Sequence, residues 1–177
     1  MIPSREECLS LMSKNGMLEN IVSHSFEVAK VALFISVELN KKGRTIDLGL
    51  VEAASLLHDL TKTECLKTKD DHARTGSQQL KRMGYERVGE VVAQHIWLVK
   101  EGDPSCVSEE EIVNYADKRV MHDRIVPLEE RFSDLKARYG LNRKAMDYLE
   151  RLQEEIFSIE NKIFFILQID PGHLQHL

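Results

Sequence analysis

Apolar residues recur at steps of three and four along nearly the whole chain, and clear period-two alternation is absent. That pattern excludes a sandwich or barrel and predicts an all-α protein. Each helix keeps one stripe dry and must find other helices to cover it. A chain of 177 residues suits one domain, expected to run over 1–177, and is long enough to bury a real core.

Helix boundaries follow from local chemistry. Ser4 and Glu7 form a capping box that opens a short helix stopping near Gly16. A longer helix is predicted over 17–40, with Ile21, Val28, Val31, Ala32, Ile35 and Leu39 on its buried side and Gly43 ending it. Asp47 caps the next, which carries Val51, Ala54 and Leu57 and ends at His58-Asp59. The polar stretch 61–71 reads as a loop. His72 opens a helix ending at Gly84, and another covers 86–97. Gly102, Asp103 and Pro104 cannot continue it. Ser108 and Glu111 make a second capping box, starting the helix that contains Asp117. Pro127 suits the first turn of its successor, which Gly140 closes.

The last predicted helix, 141–169, is long. Ala145, Leu149, Leu152, Ile156, Ile159, Ile163 and Ile166 repeat in alternating steps of four and three, a heptad seam. Such a seam serves either packing across the domain or a homodimer contact through the C-terminal helix. Phe157 and Phe164 widen the apolar face beyond a strict seam, which favours packing. The run 163–169 has the composition of a buried strand, but its unbroken phase places it in the helix.

Charge and composition narrow the partners. The formal charge is −5, so the surface as a whole attracts neither DNA, RNA nor an anionic membrane, and an anionic substrate needs locally placed cations. No wholly apolar run reaches the roughly 18 residues of a membrane span, and the first residues do not read as a secretory signal. Cys8, Cys65 and Cys106 are odd in number and lack zinc-type spacing; they read as reduced thiols of a cytoplasmic protein.

The chemistry sits among the histidines. His58 and Asp59 follow Leu56-Leu57 at a helix end, where both can turn toward one ion, and a buried aspartate is costly unless paired or metal-bound. His24 lies on the side of its helix that carries Ile21, Val28 and Val31, and Asp117 follows Val113 by four on one face. Imidazole with carboxylate suits Mn, Fe, Co, Ni or Zn rather than calcium. The plainer account is four satisfied polar residues in separate helices, which does not predict their joint order.

His24, then Leu57-His58-Asp59-Leu60-Thr61-Lys62, then Tyr115-Ala116-Asp117-Lys118 resembles the HD-domain superfamily of metal-dependent phosphohydrolases, over core motifs at 17–124. His72 and His95 resemble the extra histidines of its binuclear subgroup, which includes bacterial diadenosine tetraphosphate hydrolases. The resemblance implies an HD-type bundle of roughly seven or eight helices. It implies one or two divalent transition ions: His24, His58, Asp59 and Asp117 on the first, and Asp59, His72 and His95 on the second. It further implies metal-activated water cleaving a phosphoester or phosphoanhydride of a small phosphorylated metabolite, a nucleotide or dinucleotide polyphosphate. Asp59 and Lys62 would then be catalytic. Lys62 stands three residues after Asp59, within reach of a phosphate, and Arg124 stands seven after Asp117, on the same face if that helix extends. Two alternatives stay open on the same ligand set: a diiron oxygenase and a non-catalytic nucleotide-binding regulator.

Plainer roles compete for the remaining groups. His72 and His95 compete as helix-terminal or half-buried histidines with hydrogen-bond partners, and Lys62 as a solvated lysine favoured by a helix dipole. His122 reads as a surface residue, His173 and His176 as a frayed tail. Trp97 either walls the pocket or fills the core.

Overall fold

The Ser4 hydroxyl accepts from the Glu7 N–H at 3.2 Å while the Glu7 carboxylate accepts from the Ser4 N–H at 2.7 Å, and this reciprocal pair starts α1 (Arg5–Lys14). The computed structural model describes residues 1–99 and 106–177. The loop expected at Gly102, Asp103 and Pro104 lies outside the described residues. Gly16, with φ at +61°, turns the chain into α2 (Glu19–Lys41).

Helix α2 buries Ile21, Val28, Val31, Ala32, Ile35 and Leu39, the side read from its periodicity. By length and composition it is apolar enough to cross a membrane, and half of that apolar window lies inside the protein. Its neighbours α3 (Leu48–Leu57) and α7 (Glu109–Arg119) cover it. Helix α3 is buried on nearly every side, from Leu50 to Leu57, so it forms the centre of the bundle. The ends of α3 and α7 therefore meet the early turns of α2, where His24 lies, in a dry part of the molecule.

The segment 61–71, expected to be a loop, holds α4 (Lys62–Thr68), which ends on Lys69 in the left-handed region at φ +67°. Lys, Glu and Leu are good helix formers, and with only Cys65 buried this short helix shows little apolar periodicity to read. Asp71 caps α5 (His72–Arg82), and α6 (Glu86–Val92) follows. The helix expected over 86–97 thus stops at Val92, and 93–97 turns instead. The Ser108–Glu111 capping box opens α7 as expected. After α7 a minimal antiparallel hairpin pairs β1 (Val120–Met121) with β2 (Arg124–Ile125), Val120 opposite Ile125. Two residues per strand carry no periodicity, so the sequence gives no sign of it.

Pro127 precedes α8 (Leu128–Tyr139), and α9 (Arg143–Leu167) closes over α2, α7 and α8. Its seam residues Leu149, Leu152, Ile156, Ile159 and Ile163 are buried within the chain. The seam is therefore spent on packing and is not open as a homodimer contact. Beyond it, Pro171–His176 forms a 3-10 helix with Leu174 fully buried and His173 against Phe34. One leucine anchors what the sequence suggested would be a frayed end.

A polar knot fastens α7 to α9. Arg119, 2% exposed, donates to Glu160 at 2.9 Å, to the Tyr115 hydroxyl at 2.7 Å and to the Val126 carbonyl at 2.8 Å. Tyr115 donates to Glu160 at 2.6 Å. Every buried group in it has a partner of opposite polarity, as burial requires.

Candidate metal centre

Three of the histidines are held the same way. The ring Nδ1 of His24 lies 2.8 Å from the His122 carbonyl, that of His58 2.7 Å from the Ser55 carbonyl, and that of His95 2.7 Å from the Val92 carbonyl. A carbonyl only accepts, so each Nδ1 carries the hydrogen and each Nε2 of the neutral ring turns a lone pair inward. This is the arrangement by which outer contacts fix an imidazole as a ligand. Helix geometry supplies the partners for His58 and His95, whose carbonyls lie three residues back at the ends of α3 and α6. His122 supplies the third from the hairpin turn, with φ at +59°. His122 is exposed, as expected, and orients His24 through its backbone carbonyl.

These lone pairs face carboxylates. His24 Nε2 lies 3.0 Å from Asp117 Oδ1; His58 Nε2 lies 3.4 Å from Asp59 Oδ2 and 3.6 Å from Asp117 Oδ1. His72 Nε2 and His95 Nε2 approach the other Asp59 oxygen at 3.1 and 3.6 Å and each other at 3.3 Å. Acceptor facing acceptor is repulsive unless a cation stands between. Among the described residues, buried His58 Nε2 and Asp59 Oδ1 have no hydrogen-bond partner. Donor atoms of His24, His58 and Asp59 lie within 4.8 Å of one another, as do those of Asp59, His72 and His95. Each group can hold a metal ion, and Asp59 is common to both.

The local electrostatics favour ionised carboxylates. Burial pushes Asp59 and Asp117 upward, but the charge and hydrogen bonds of surrounding groups outweigh it and hold both well below the usual carboxylate range. The opposing groups are led by His58 for Asp59, and by Lys118 with His24 for Asp117. Burial depresses His95. It also works against charge on His58, yet Asp59 prevails and raises that imidazole.

A cavity of about 480 Å³ opens beside the centre, with Asp59, His72, His95 and Asp117 at its floor and Leu135, Tyr139, Tyr148 and Leu152 among its walls. Lys62, Lys118 and Arg131 bring positive charge to it. Lys62, the first residue of α4, reaches Asp59 Oδ2 at 2.6 Å, and the charge of Asp59 raises its pKa against the effect of burial. Lys118 is buried and committed, donating to Asp117 at 2.6 Å and to the His95 carbonyl at 2.9 Å. Arg131 is held less firmly: its Nη1 lies 3.4 Å from Asp134, and its buried Nε has no hydrogen-bond partner among the described residues. Only the packing of α8 brings Arg131 here, and no spacing in the sequence links it to the motifs.

Arg124 is not part of this cavity. Helix α7 stops at Arg119, so the shared helical face on which Arg124 was placed does not exist, and its side chain is 65% exposed beside Glu130. Trp97 fills no core either; it is 39% exposed and stacks on Tyr148.

Comparison with known proteins adds a family and two relatives. The HD-domain family model matches residues 21–122, which include all six clustered residues. The chain is 30% identical over 173 residues to a protein of Picrophilus torridus named tRNA (cytidine(56)-2′-O)-methyltransferase; the match covers 89% of this chain and 48% of that protein. A protein of the same name from Thermoplasma volcanium is 33% identical over 97 residues, covering 54% of this chain and 27% of the relative. The chain thus spans at most about half the length of these relatives. No solved structure matches it.

These names correct two expectations. Relatives named for methyl transfer are transferases, which overturns the reading of a hydrolase acting on a small phosphorylated metabolite. Neither alternative, oxygenase or nucleotide regulator, is named among them. Relatives named for tRNA also overturn the exclusion of RNA. That exclusion rested on net charge, an average over the surface, whereas binding is decided where cations gather, as they do at this cavity.

Proposed function

The chain belongs to the HD-domain family, and from that premise we propose that it serves tRNA 2′-O-methylation as a metal-bearing unit that grips the RNA. The observation that carries this reading is the likeness to the Picrophilus torridus methyltransferase over 89% of the chain, too much to be confined to one motif. RNA presents each ribose 2′-hydroxyl close to a phosphate, so a protein that holds the phosphate also places the hydroxyl. In this reading His24, His58, Asp59 and Asp117 hold one divalent ion, and Asp59, His72 and His95 a second. Mixed imidazole and carboxylate donors suit Fe, Mn, Co, Ni or Zn. A bound ion would supply a fixed positive charge to a phosphodiester. Lys62 and Arg131 support the same anion from the cavity wall. The stretch 1–177 acts as one HD-like unit, and a tRNA substrate agrees with a cytoplasmic place of action.

The test is tRNA binding to the purified chain, with manganese present and after chelation. Affinity should fall at least about tenfold on chelation, the scale on which losing metal-site contacts is felt, and Asp59→Asn should abolish the metal response. A transcript methylated beforehand at the cytidine 2′-oxygen should bind differently from its unmethylated twin. Binding of tRNA that ignores the metal, or no binding at all, overturns the proposal.

A further inference from the structure

Beside the metal cavity lies a second hollow of about 580 Å³, lined by Trp97, Arg143, Lys144, Asp147, Tyr148 and Arg151. Tyr148 lines both hollows, so they adjoin through one ring. Trp97 and Tyr148 stack with centroids 5.3 Å apart and planes 26° from parallel, and both remain substantially exposed at 39% and 43%. Three cations and one carboxylate line this hollow in a chain whose net charge is −5, and Glu155 and Asp71 lie close enough to Tyr148 to act on it electrostatically. Among the described residues no ion pair engages Arg143, Lys144 or Arg151. Arg143 and Lys144 also open α9, a helix without an acidic residue in its first turn. Positive charge is disfavoured at a helix start because the macrodipole is positive there. Dipole and cations together favour an anion at this place.

We propose that this face docks a single-stranded stretch of RNA, with a base stacked on Trp97 and phosphates following Arg143, Lys144 and Arg151 toward the Asp59 cavity. The inference rests on the reading of the partner as RNA and adds the route by which it arrives. An aromatic platform flanked by cations is what unpaired nucleic acid requires: each base offers a face to stack on, and each linkage carries one negative charge. Paired RNA hides its base faces, so the surface selects a loop or an end. The cavity beyond, walled by Tyr139, Tyr148 and Leu152, is within the size range of sites that enclose one small-molecule-sized group. One nucleotide drawn from the strand would meet Arg131 and the metal-binding residues there.

Trp97 is the sole tryptophan, so its fluorescence reports on this surface directly. Titration of the metal-loaded chain with oligocytidylate, and separately with tRNA, should quench it. Replacing Arg143, Lys144 and Arg151 together by Glu should weaken binding at least tenfold and reduce the salt dependence of log K by about 2, from roughly 0.7 per single-strand phosphate contact. The same charge change made at Lys41, Lys42 and Arg44, at the end of α2 some 25 Å along its axis from His24, should leave binding as it was. Circular dichroism establishes that each variant is folded. Tight tRNA binding with Trp97 fluorescence unmoved and the triple variant unimpaired overturns this surface alone and leaves the proposed function standing. Quenching by oligocytidylate without any response to tRNA upholds the surface and overturns the tRNA reading. Quenching by anionic vesicles but by neither RNA overturns the docking proposal.

Discussion

Two buried polar clusters share α7, one built around Asp117 and the other, half a turn along, around Arg119. They differ in how their charges are balanced. At Arg119 a guanidinium, a carboxylate and a phenol satisfy one another and two backbone carbonyls. At Asp117 and Asp59 several imidazole lone pairs converge on two carboxylates, and buried atoms are left without a partner. A closed cluster holds helices together. An open one, with acceptors turned toward one another, stores a demand for cations that folding alone does not meet. The distinction lies in satisfaction, not in burial, because both sets are almost equally dry.

The largest expected effect tests the closed cluster. Arg119→Met leaves Glu160, 14% exposed, without its cation, and removing one member of a largely buried pair costs up to about 3–5 kcal/mol. Urea denaturation should show that loss whether or not metal is present. A loss that appears only with metal would mean the two clusters are one system, and the comparison would break.

The open cluster should show the reverse dependence. With free metal at 100 times its dissociation constant, the native protein should gain about 2.7 kcal/mol of stability, and chelation should remove it. Asp59 is common to both ligand groups, so Asp59→Asn should erase that gain while disturbing the metal-free protein less than Arg119→Met does. Calorimetry with and without manganese decides between these outcomes.

Acidity sharpens the same contrast with a smaller effect. Asp59 and Asp117 have depressed folded-state values, so their stabilising contribution is present above the unfolded carboxylate value of about 3.9 and is lost as pH falls through the folded ones. Near neutrality two imidazoles pull in opposite directions. The lowered His95 stabilises above about 6.5 and loses that contribution as pH falls; the raised His58 stabilises below about 6.5 and loses it as pH climbs through its folded value. The metal-free stability should therefore peak near about pH 6.5, decline on either side, and fall again below about pH 4. Metal affinity should instead rise with pH above 6.5, as the proton on His58 is released. A metal affinity independent of pH would count against His58 as a ligand.

The sequence disclosed the open cluster far better than the closed one, for a physical reason. Metal-binding side chains come from a short list, here His and Asp, and in this chain they fall at helix ends and within apolar stripes where such residues stand out. His24, His58, Asp59, His72, His95 and Asp117 could thus be named from spacing and family resemblance, and the fold brings them together. Arg119 and Glu160 lie 41 residues apart in ordinary helical sequence, where Arg and Glu are unremarkable on any surface. Their partnership exists only once α9 lies across α7. Short segments were the other losses: α4, with one buried residue, and a hairpin whose two-residue strands are too short to show a period. The identity of the substrate class was never in the ligands, since a metal centre that grips phosphate looks alike whatever carries the phosphate.

The smallest expected effect concerns two arginines, one that the sequence singles out and one that it does not. Arg124 was placed beside Asp117 by extending α7 past its true end at Arg119, whereas Arg131 was not singled out at all. In the fold Arg124 is exposed and 3.6 Å from the exposed Glu130, a surface pair of the kind that contributes about 0–1 kcal/mol. Arg124→Ala should therefore leave both stability and tRNA affinity close to the parent values. Arg131→Met, of similar length but without charge, should keep the fold and weaken tRNA binding several-fold in the presence of metal, because it removes a positive charge from the cavity lining. Should the two variants exchange behaviours in the same binding assay, the anion would have to approach from the hairpin side, and the cavity between α4, α8 and α9 would not be its seat.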